Sequence, residues 1–234
     1  MVIKEAIILA GGLGTRLRSA LPDLPKCMAP VNDKPFLTYV INYLLSQGIT
    51  HFIFSLGYKS EAITSFLQKD FSSLSYKIII EEEPLGTGGA VKKALATAKD
   101  NDVLIANGDT LFKANIDLLA NAYAAGKACC TLSLKPMKNF SRYGVVEMDE
   151  FGIIKSFKEK QFYESGLING GVYAINKNKF FTENLPDKFS FETDYLEKFY
   201  KTRRMSGVIQ DGYFIDIGIP EDYARAQREL QTRP

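Results

Sequence analysis

From residue 6 to residue 107 of this 234-residue chain, short and nearly continuous apolar runs alternate with stretches whose apolar residues recur at helical spacing. Residues 6–10, 51–57, 76–81 and 103–107 read as strands, and 36–47, 60–68 and 87–98 as helices. In the first of these helices Phe36, Leu37, Val40, Ile41, Leu44 and Leu45 share one face, and Gly48 is its stop. Strands apolar on both faces, joined through helices, are the pattern of a parallel sheet covered on two sides. After Lys127 the rhythm changes. Residues 128–134, 143–148, 153–158 and 167–175 read as strands joined by turn signals such as Asp149-Glu150-Phe151-Gly152. A helix at 190–200, strands near 205–209 and 213–217, and a helix at 220–230 close the chain. No linker, repeat or low-complexity tract interrupts it. The expectation is one α/β domain with a Rossmann-like, mixed but mainly parallel sheet flanked by helices, long enough to bury a sizeable core.

The first strand runs into a glycine-rich turn, LAGGLGTRL, at residues 9–17. Gly11, Gly12 and Gly14 let the backbone turn tightly and bring N–H groups toward an anion, and Arg16 adds a fork of donors. With Leu9 and Thr15 they make a candidate triphosphate cradle, although glycines kept only for packing would look the same. Leu17 stands where the third glycine of G-x-G-x-x-G would be, and no G-x-x-x-x-G-K-[ST] loop occurs.

Charge is nearly balanced, 29 Lys+Arg against 27 Asp+Glu, so no strong field points to nucleic acid or a membrane surface. Cys27, Cys129 and Cys130 are the only cysteines, the last two adjacent and poorly placed to pair, which fits reduced thiols and a cytoplasmic protein. The apolar run at the start is too short for a signal peptide, and no stretch is long enough to span a bilayer. The single histidine, His51, opens an apolar strand and reads as structural. Chemistry then has to rest on carboxylates, lysines, arginines and a metal.

Asp109 follows the strand ending at Asn107-Gly108, where ligands of open α/β sheets bind, but an aspartate there serves equally as a cap for a following helix. Asp216 is a charge among apolar neighbours in YFIDIGIP, costly without a cation. Lys26, between Pro25 and Cys27, and Lys160, in FKEK, are the basic candidates. EEEPLGTGGA, residues 81–90, offers Glu81 and Glu83 as acceptors for a base, and Leu85, Gly86, Thr87 and Gly88 as a lining that backbone can approach closely. It leads into a helix whose N-terminus favours anions. Asn169-Gly170-Gly171-Val172-Tyr173 reads as a hairpin turn on the Asn-Gly pair alone.

GxGTRL followed by PKCMAPV resembles the sugar-1-phosphate nucleotidylyltransferases, which join a nucleoside triphosphate to a sugar 1-phosphate and release pyrophosphate. The resemblance runs from Ile7 to about Arg228. It is nearest to the guanylyltransferases acting on D-glycero-D-manno-heptose 1-phosphate, with those acting on mannose 1-phosphate next. It implies GTP and a sugar 1-phosphate as substrates, and Mg²⁺, with Mn²⁺ as substitute, on Asp109 and Asp216. Arg16 and Lys26 fall on the reacting phosphates and Lys160 on the sugar phosphate. The lining of the nucleotide site is Leu9, Gly11, Gly12, Gly14, Thr15, Arg16, Glu83, Leu85, Gly86, Thr87, Gly88, Asn107 and Gly108. For the sugar it is Tyr143, Gly144, Glu159, Lys160 and Asn169. Residues 1–126 would then be mainly the nucleotide half and 127–234 mainly the sugar half. Where the family has proline after its F-x-E-K element this chain has Gln161, which loosens the placement of Lys160 against Lys158.

A phosphate monoester with its second pKa near ~6 is already a nucleophile at neutral pH, so no general base is needed. A glycosyltransferase of similar fold would carry D-x-D, whereas Asp109 is followed by Thr110-Leu111. A non-catalytic sensor would lose metal or lysine positions, and these are present. The end at Pro234 leaves no length for an acyltransferase repeat. A homo-oligomer is compatible with Phe180-Phe181, Phe189 and Phe191, which suit either a core or an interface.

Overall fold

The computed structural model describes residues 1–12 and 24–230, so the expected roles of Gly14, Thr15 and Arg16 lie outside the described residues. In chain order the strands are β1 (Glu5–Ala10), β2 (Pro30–Val31), β3 (Lys34–Pro35), β4 (His51–Leu56), β5 (Ser75–Ile80), β6 (Asp102–Asn107), β7 (Thr110–Phe112), β8 (Cys130–Phe140), β9 (Val146–Met148), β10 (Ile154–Phe157), β11 (Tyr163–Asn176), β12 (Met205–Ile209) and β13 (Phe214–Asp216). The helices are α1 (Phe36–Ser46), α2 (Ser60–Asp70), α3 (Gly86–Leu95), α4 (Ile116–Gly126), α5 (Lys177–Phe180), α6 (Glu197–Phe199) and α7 (Pro220–Glu229). A 3₁₀ turn spans Lys26–Met28, and a π-helical stretch, Phe191–Leu196, runs directly into α6.

Seven strands form one sheet in the order β12-β8-β11-β6-β1-β4-β5. All its neighbouring pairs are parallel except those of β11, which runs against both β8 and β6. Adjacent residues of one strand feed two separate cores. Ile8, Phe52, Phe54 and Leu104 pack with Phe36 and Leu37 of α1 and Ile63 of α2 on one face. Ile7, Ile53 and Ile105 pack with Val91 of α3 and with Tyr173 and Phe191 on the other. Ile7, Ile8, Ile53 and Phe54 have no exposed surface, which is why the strands read as continuous apolar runs. Burial of this kind stabilises by about 1.5–3 kcal/mol per side chain.

Four local expectations change. The helix that Asp109 was open to capping does not start there. The chain instead makes β7, paired antiparallel with β13, and then α4, capped by the Asn115 side chain, which accepts from Leu118 N–H at 2.8 Å. Asp109 is therefore not a helix cap. The strand expected at 128–134 continues to Phe140, because its 14-residue partner β11 pairs along it as far as Tyr163 opposite Phe140. The 190–200 segment is π-helical for most of its length. Asn169-Gly170-Gly171 is not a hairpin but an irregularity inside β11, where pairing with β8 shifts between Asn169 and Tyr173. Gly171 takes φ +73° there, and a Cβ on it would come within 2.7 Å of the Asn107 amide. Of the phenylalanines weighed as interface, Phe180, Phe189 and Phe191 are core and only Phe181 is substantially exposed.

Candidate active site

The carboxyl ends of β1, β4 and β6 lie side by side, with Leu9 paired to Asn107 and to Ser55. Gly11, Gly12, Gly108 and Asp109 leave the sheet at this edge, beside the point where the chain order reverses about β1. Gly108 N–H donates to the Leu9 carbonyl at 2.9 Å, which ties the two strand ends together. Because β11 runs the other way, it brings Asn169–Gly171 to the same edge, beyond the end of β6.

Five charged residues from distant parts of the chain meet here. Lys26, on the 3₁₀ turn, donates to Asp109 at 2.6 Å and lies 3.6 Å from Asp216 at the end of β13. Arg142 reaches Asp216 at 3.3 Å and also pairs with Asp222 in the first turn of α7. Asp216 further accepts from Gly218 N–H at 2.8 Å and from the Tyr143 hydroxyl at 3.3 Å. Burial works to lower the Lys26 pKa, but Asp109 and Asp216 outweigh it and hold the ammonium above its ordinary value. Burial and then Asp216 push the Tyr143 phenol well above the usual range, so it remains a donor. Next to Lys26, burial and Asp109 push the Cys27 thiol up to about 12, which makes it inert.

Two carboxylates therefore converge on one cation position. Among the described residues no group of three or more His, Cys, Asp or Glu side chains does so. That donor set suits Mg²⁺, which takes one or two carboxylates and fills its shell from phosphate oxygens and water. A small cavity of about 90 Å³, lined by Leu9, Ala10, Gly12, Lys26, Cys27 and Asp109, lies against the cluster.

Asp216 also lines a much larger cavity of about 610 Å³, within the range of roughly 300–1,000 Å³ usual for small-molecule sites. The structure brings Tyr143, Gly144, Glu159, Lys160 and Asn169, the residues that the resemblance assigns to the sugar, together on its walls, and Asn107, assigned to the nucleotide, lines the same cavity. Asn169 is fixed from both sides: its amide donates to the Tyr173 hydroxyl at 2.9 Å and its carbonyl accepts from Gly171 N–H at 3.0 Å. Lys158 also lines the cavity, but its ammonium is paired with Glu147, whereas Lys160 forms no ion pair among the described residues.

The 81–90 loop differs from expectation. Burial raises the Glu81 pKa, against the Leu85 N–H and Ser55 hydroxyl that favour its charge, and Glu83 is exposed. Gly86 and Gly88 serve packing: a Cβ on either would come within 2.5 Å of Phe189. The Phe189 carbonyl accepts from Gly88 N–H at 2.9 Å and Gly89 N–H at 3.4 Å. Those two amides at the start of α3 are thereby spent, leaving fewer donors for an anion than the sequence promised. Thr87 points its hydroxyl at Glu192, 2.7 Å away, and accepts from Phe191 N–H at 2.9 Å.

Sequence reasoning missed Arg142 and Glu192. Nothing local marks either one, since their significance lies in partners 74 and 105 residues away. A charge inside the apolar periodicity of FETDYLEKF was the only available hint for Glu192.

An open, mainly parallel sheet with paired strand-end aspartates and a lysine between them, opening on a sugar-sized cavity, defines a nucleotidyl-transferring enzyme. The chain belongs to the nucleotidyl transferase family, whose model matches residues 5–233. It is 51% identical over 227 residues to D-glycero-alpha-D-manno-heptose 1-phosphate guanylyltransferase of Aneurinibacillus thermoaerophilus, covering 97% of this chain and 98% of the relative. A protein of the same description from Campylobacter jejuni is 48% identical, with 94% and 96% covered. HddC from Yersinia pseudotuberculosis, solved as a complex with GMP-PN, superposes with a TM-score of 0.88 at 37% identity, over 98% of this chain and 100% of that one.

Proposed function

We infer that the chain transfers a guanylyl group from GTP to a sugar 1-phosphate, D-glycero-alpha-D-manno-heptose 1-phosphate, yielding the GDP-sugar and pyrophosphate. The observation that carries this reading is Lys26 held between Asp109, which lines the small strand-end cavity with it, and Asp216, which lines the large one. Near-full-length identity of about half to two heptose 1-phosphate guanylyltransferases supports the choice of substrates.

In the reaction an oxygen of the sugar phosphate attacks the α-phosphorus of GTP, a new P–O bond forms in line, and the bond to the β-phosphate breaks as pyrophosphate leaves. No side chain has to remove a proton. Asp109 and Asp216 would hold Mg²⁺, which when bound neutralises phosphate charge. Lys26, a protonated donor under all relevant conditions, exchanges a carboxylate partner for phosphate oxygens as charge moves toward the leaving group. Arg16 acts on the triphosphate from the glycine loop. Lys160, exposed on the wall of the large cavity, captures the sugar phosphate, and Tyr143, Gly144, Glu159 and Asn169 surround the sugar. Positioning two mutually repelling anions is most of the work. Residues 1–126 serve mainly the nucleotide and 127–234 mainly the sugar, although Asp109 and Asp216 come from opposite halves.

Pyrophosphate release measured for four nucleoside triphosphates against heptose, mannose, glucose and N-acetylglucosamine 1-phosphates tests the reading. GTP is expected to exceed ATP, CTP and UTP, by factors up to ~10⁴ where buried acceptors are left unpaired. The heptose phosphate is expected to exceed mannose 1-phosphate. Comparable kcat/KM for UTP would remove the guanylyl assignment and leave the phosphate chemistry intact.

A further inference from the structure

The hydroxyl of Thr87 has one proton, and that proton goes to Glu192 Oε2 at 2.7 Å. The Thr87 hydroxyl oxygen itself accepts from Phe191 N–H at 2.9 Å. Ser190 Oγ donates to Glu192 Oε2 as well, at 3.2 Å. One carboxylate oxygen of Glu192 is thus held by two hydroxyls, while Oε1 has no partner among the described residues. Glu192 is half-buried and lines the large cavity, on the wall that also carries Glu197. The π-helical turn at Phe191–Leu196 puts this carboxylate there, and such turns are frequent at functional sites. Its neighbours above and below, Phe191 and Tyr195, are locked in a stacked pair with centroids 5.2 Å apart, so the turn is rigid.

We propose that Glu192 is a specificity-determining residue that accepts a hydrogen bond from a hydroxyl of the bound sugar phosphate, with Thr87 as its positioning residue. This deepens the reading of the large cavity as the sugar site and rests on it. It also moves Thr87 from the nucleotide side, where the sequence put it, to the sugar side. The loop that follows β5 then touches the sugar through Glu192, and the chemistry recognised is a polyol phosphate with a hydroxyl directed at a fixed carboxylate.

The test compares wild type with Glu192→Ala, Glu192→Gln, Thr87→Ala and Thr87→Ser, using the nucleotide and sugar 1-phosphate that wild type turns over fastest. Loss of a charge-assisted hydrogen bond predicts a rise of roughly ten- to a hundredfold in the sugar-phosphate KM for Glu192→Ala, with the nucleotide KM within about twofold of wild type. The isosteric Glu192→Gln, which keeps the packing, is expected to lie between the two. Thr87→Ala reproduces a smaller rise on the sugar side, about three- to tenfold, and Thr87→Ser restores wild-type values. Among monodeoxy sugar 1-phosphates, the wild-type advantage over Glu192→Ala collapses to about one for the analogue lacking the recognised hydroxyl. The proposal is overturned if that advantage persists across every deoxy analogue, or if Thr87→Ala raises the nucleotide KM and spares the sugar. A wild type that prefers a sugar other than the heptose overturns the substrate assignment alone, because the variants are compared on the sugar wild type uses.

Discussion

Lys26 lines the small strand-end cavity and Lys160 the large one, and their surroundings differ in kind. The Lys26 side chain is 18% exposed, has aspartates on two sides and sits at the end of a stapled pair of central strands. Lys160 is exposed, on the segment between β10 and β11, and forms no ion pair among the described residues. The first arrangement fixes charge before any substrate arrives. Preorganised charge of that sort acts most on the state in which charge is moving, and mobile surface charge acts mainly on capture. On the proposed reading, Lys26 is then expected to govern turnover and Lys160 affinity.

The sharpest way to break this contrast is to remove the carboxylates. Asp109→Asn and Asp216→Asn are each expected to lower turnover by at least about a thousandfold, with the circular-dichroism spectrum unchanged. Full activity of either variant in excess chelator would remove these aspartates from the metal site. Next in size, Lys26→Ala should lower kcat by roughly a hundred- to a thousandfold and leave the sugar-phosphate KM within a few-fold. Steady-state kinetics in both substrates separates the two parameters. On the open wall, Lys160→Ala should raise that KM about tenfold while kcat changes little. Lys158→Ala should do less, because Glu147 already holds that ammonium. A larger effect at Lys158 would move the capturing charge two residues along the chain and still keep it on the open wall.

The smallest effect concerns stability. Lys26 is more firmly protonated in the fold than in the unfolded chain, whose lysine value is 10.5. Its pairing therefore contributes fully below about pH 10.5 and is lost as pH rises through the higher folded value. The difference in unfolding free energy between wild type and Lys26→Met, about 1 kcal/mol for a partly exposed pair, should shrink as urea titrations are moved from pH 8 to pH 11. A constant difference across that range would show that the ion pair is not what the substitution removes.

Legibility in the sequence followed the range of the interaction. The strands at β1, β4 and β6 were readable because each carries a nearly continuous apolar run, and Ile7 and Ile8 explain why: neighbouring residues enter different cores. Asp109 and Asp216 stood out as charges at the ends of apolar runs. The bulge at Asn169–Gly171 did not, since an Asn-Gly pair is chemically the same in a hairpin and in a strand irregularity, and only Asn107 and Ser133 opposite show which it is. The glycines at 86 and 88 misled for a related reason. Close approach was correctly read, but the approaching group is Phe189 of the same chain. Arg142 and Glu192 were invisible because a single sequence carries no sign of which distant residue each will meet.

The one reversed strand has a consequence for how the molecule comes into being. β11 pairs with β8 nearby in sequence but also with β6, about 70 residues earlier, so the sheet cannot close until most of the polypeptide has been synthesised. Contacts of such separation are slow to form and belong late on the folding path. Because β11 carries Asn169 and fastens the wall that faces Asp216, catalytic competence should return only in the last kinetic phase of refolding, after the bulk of the helical signal. Enzymatic activity is in this sense a clock for the docking of a single strand.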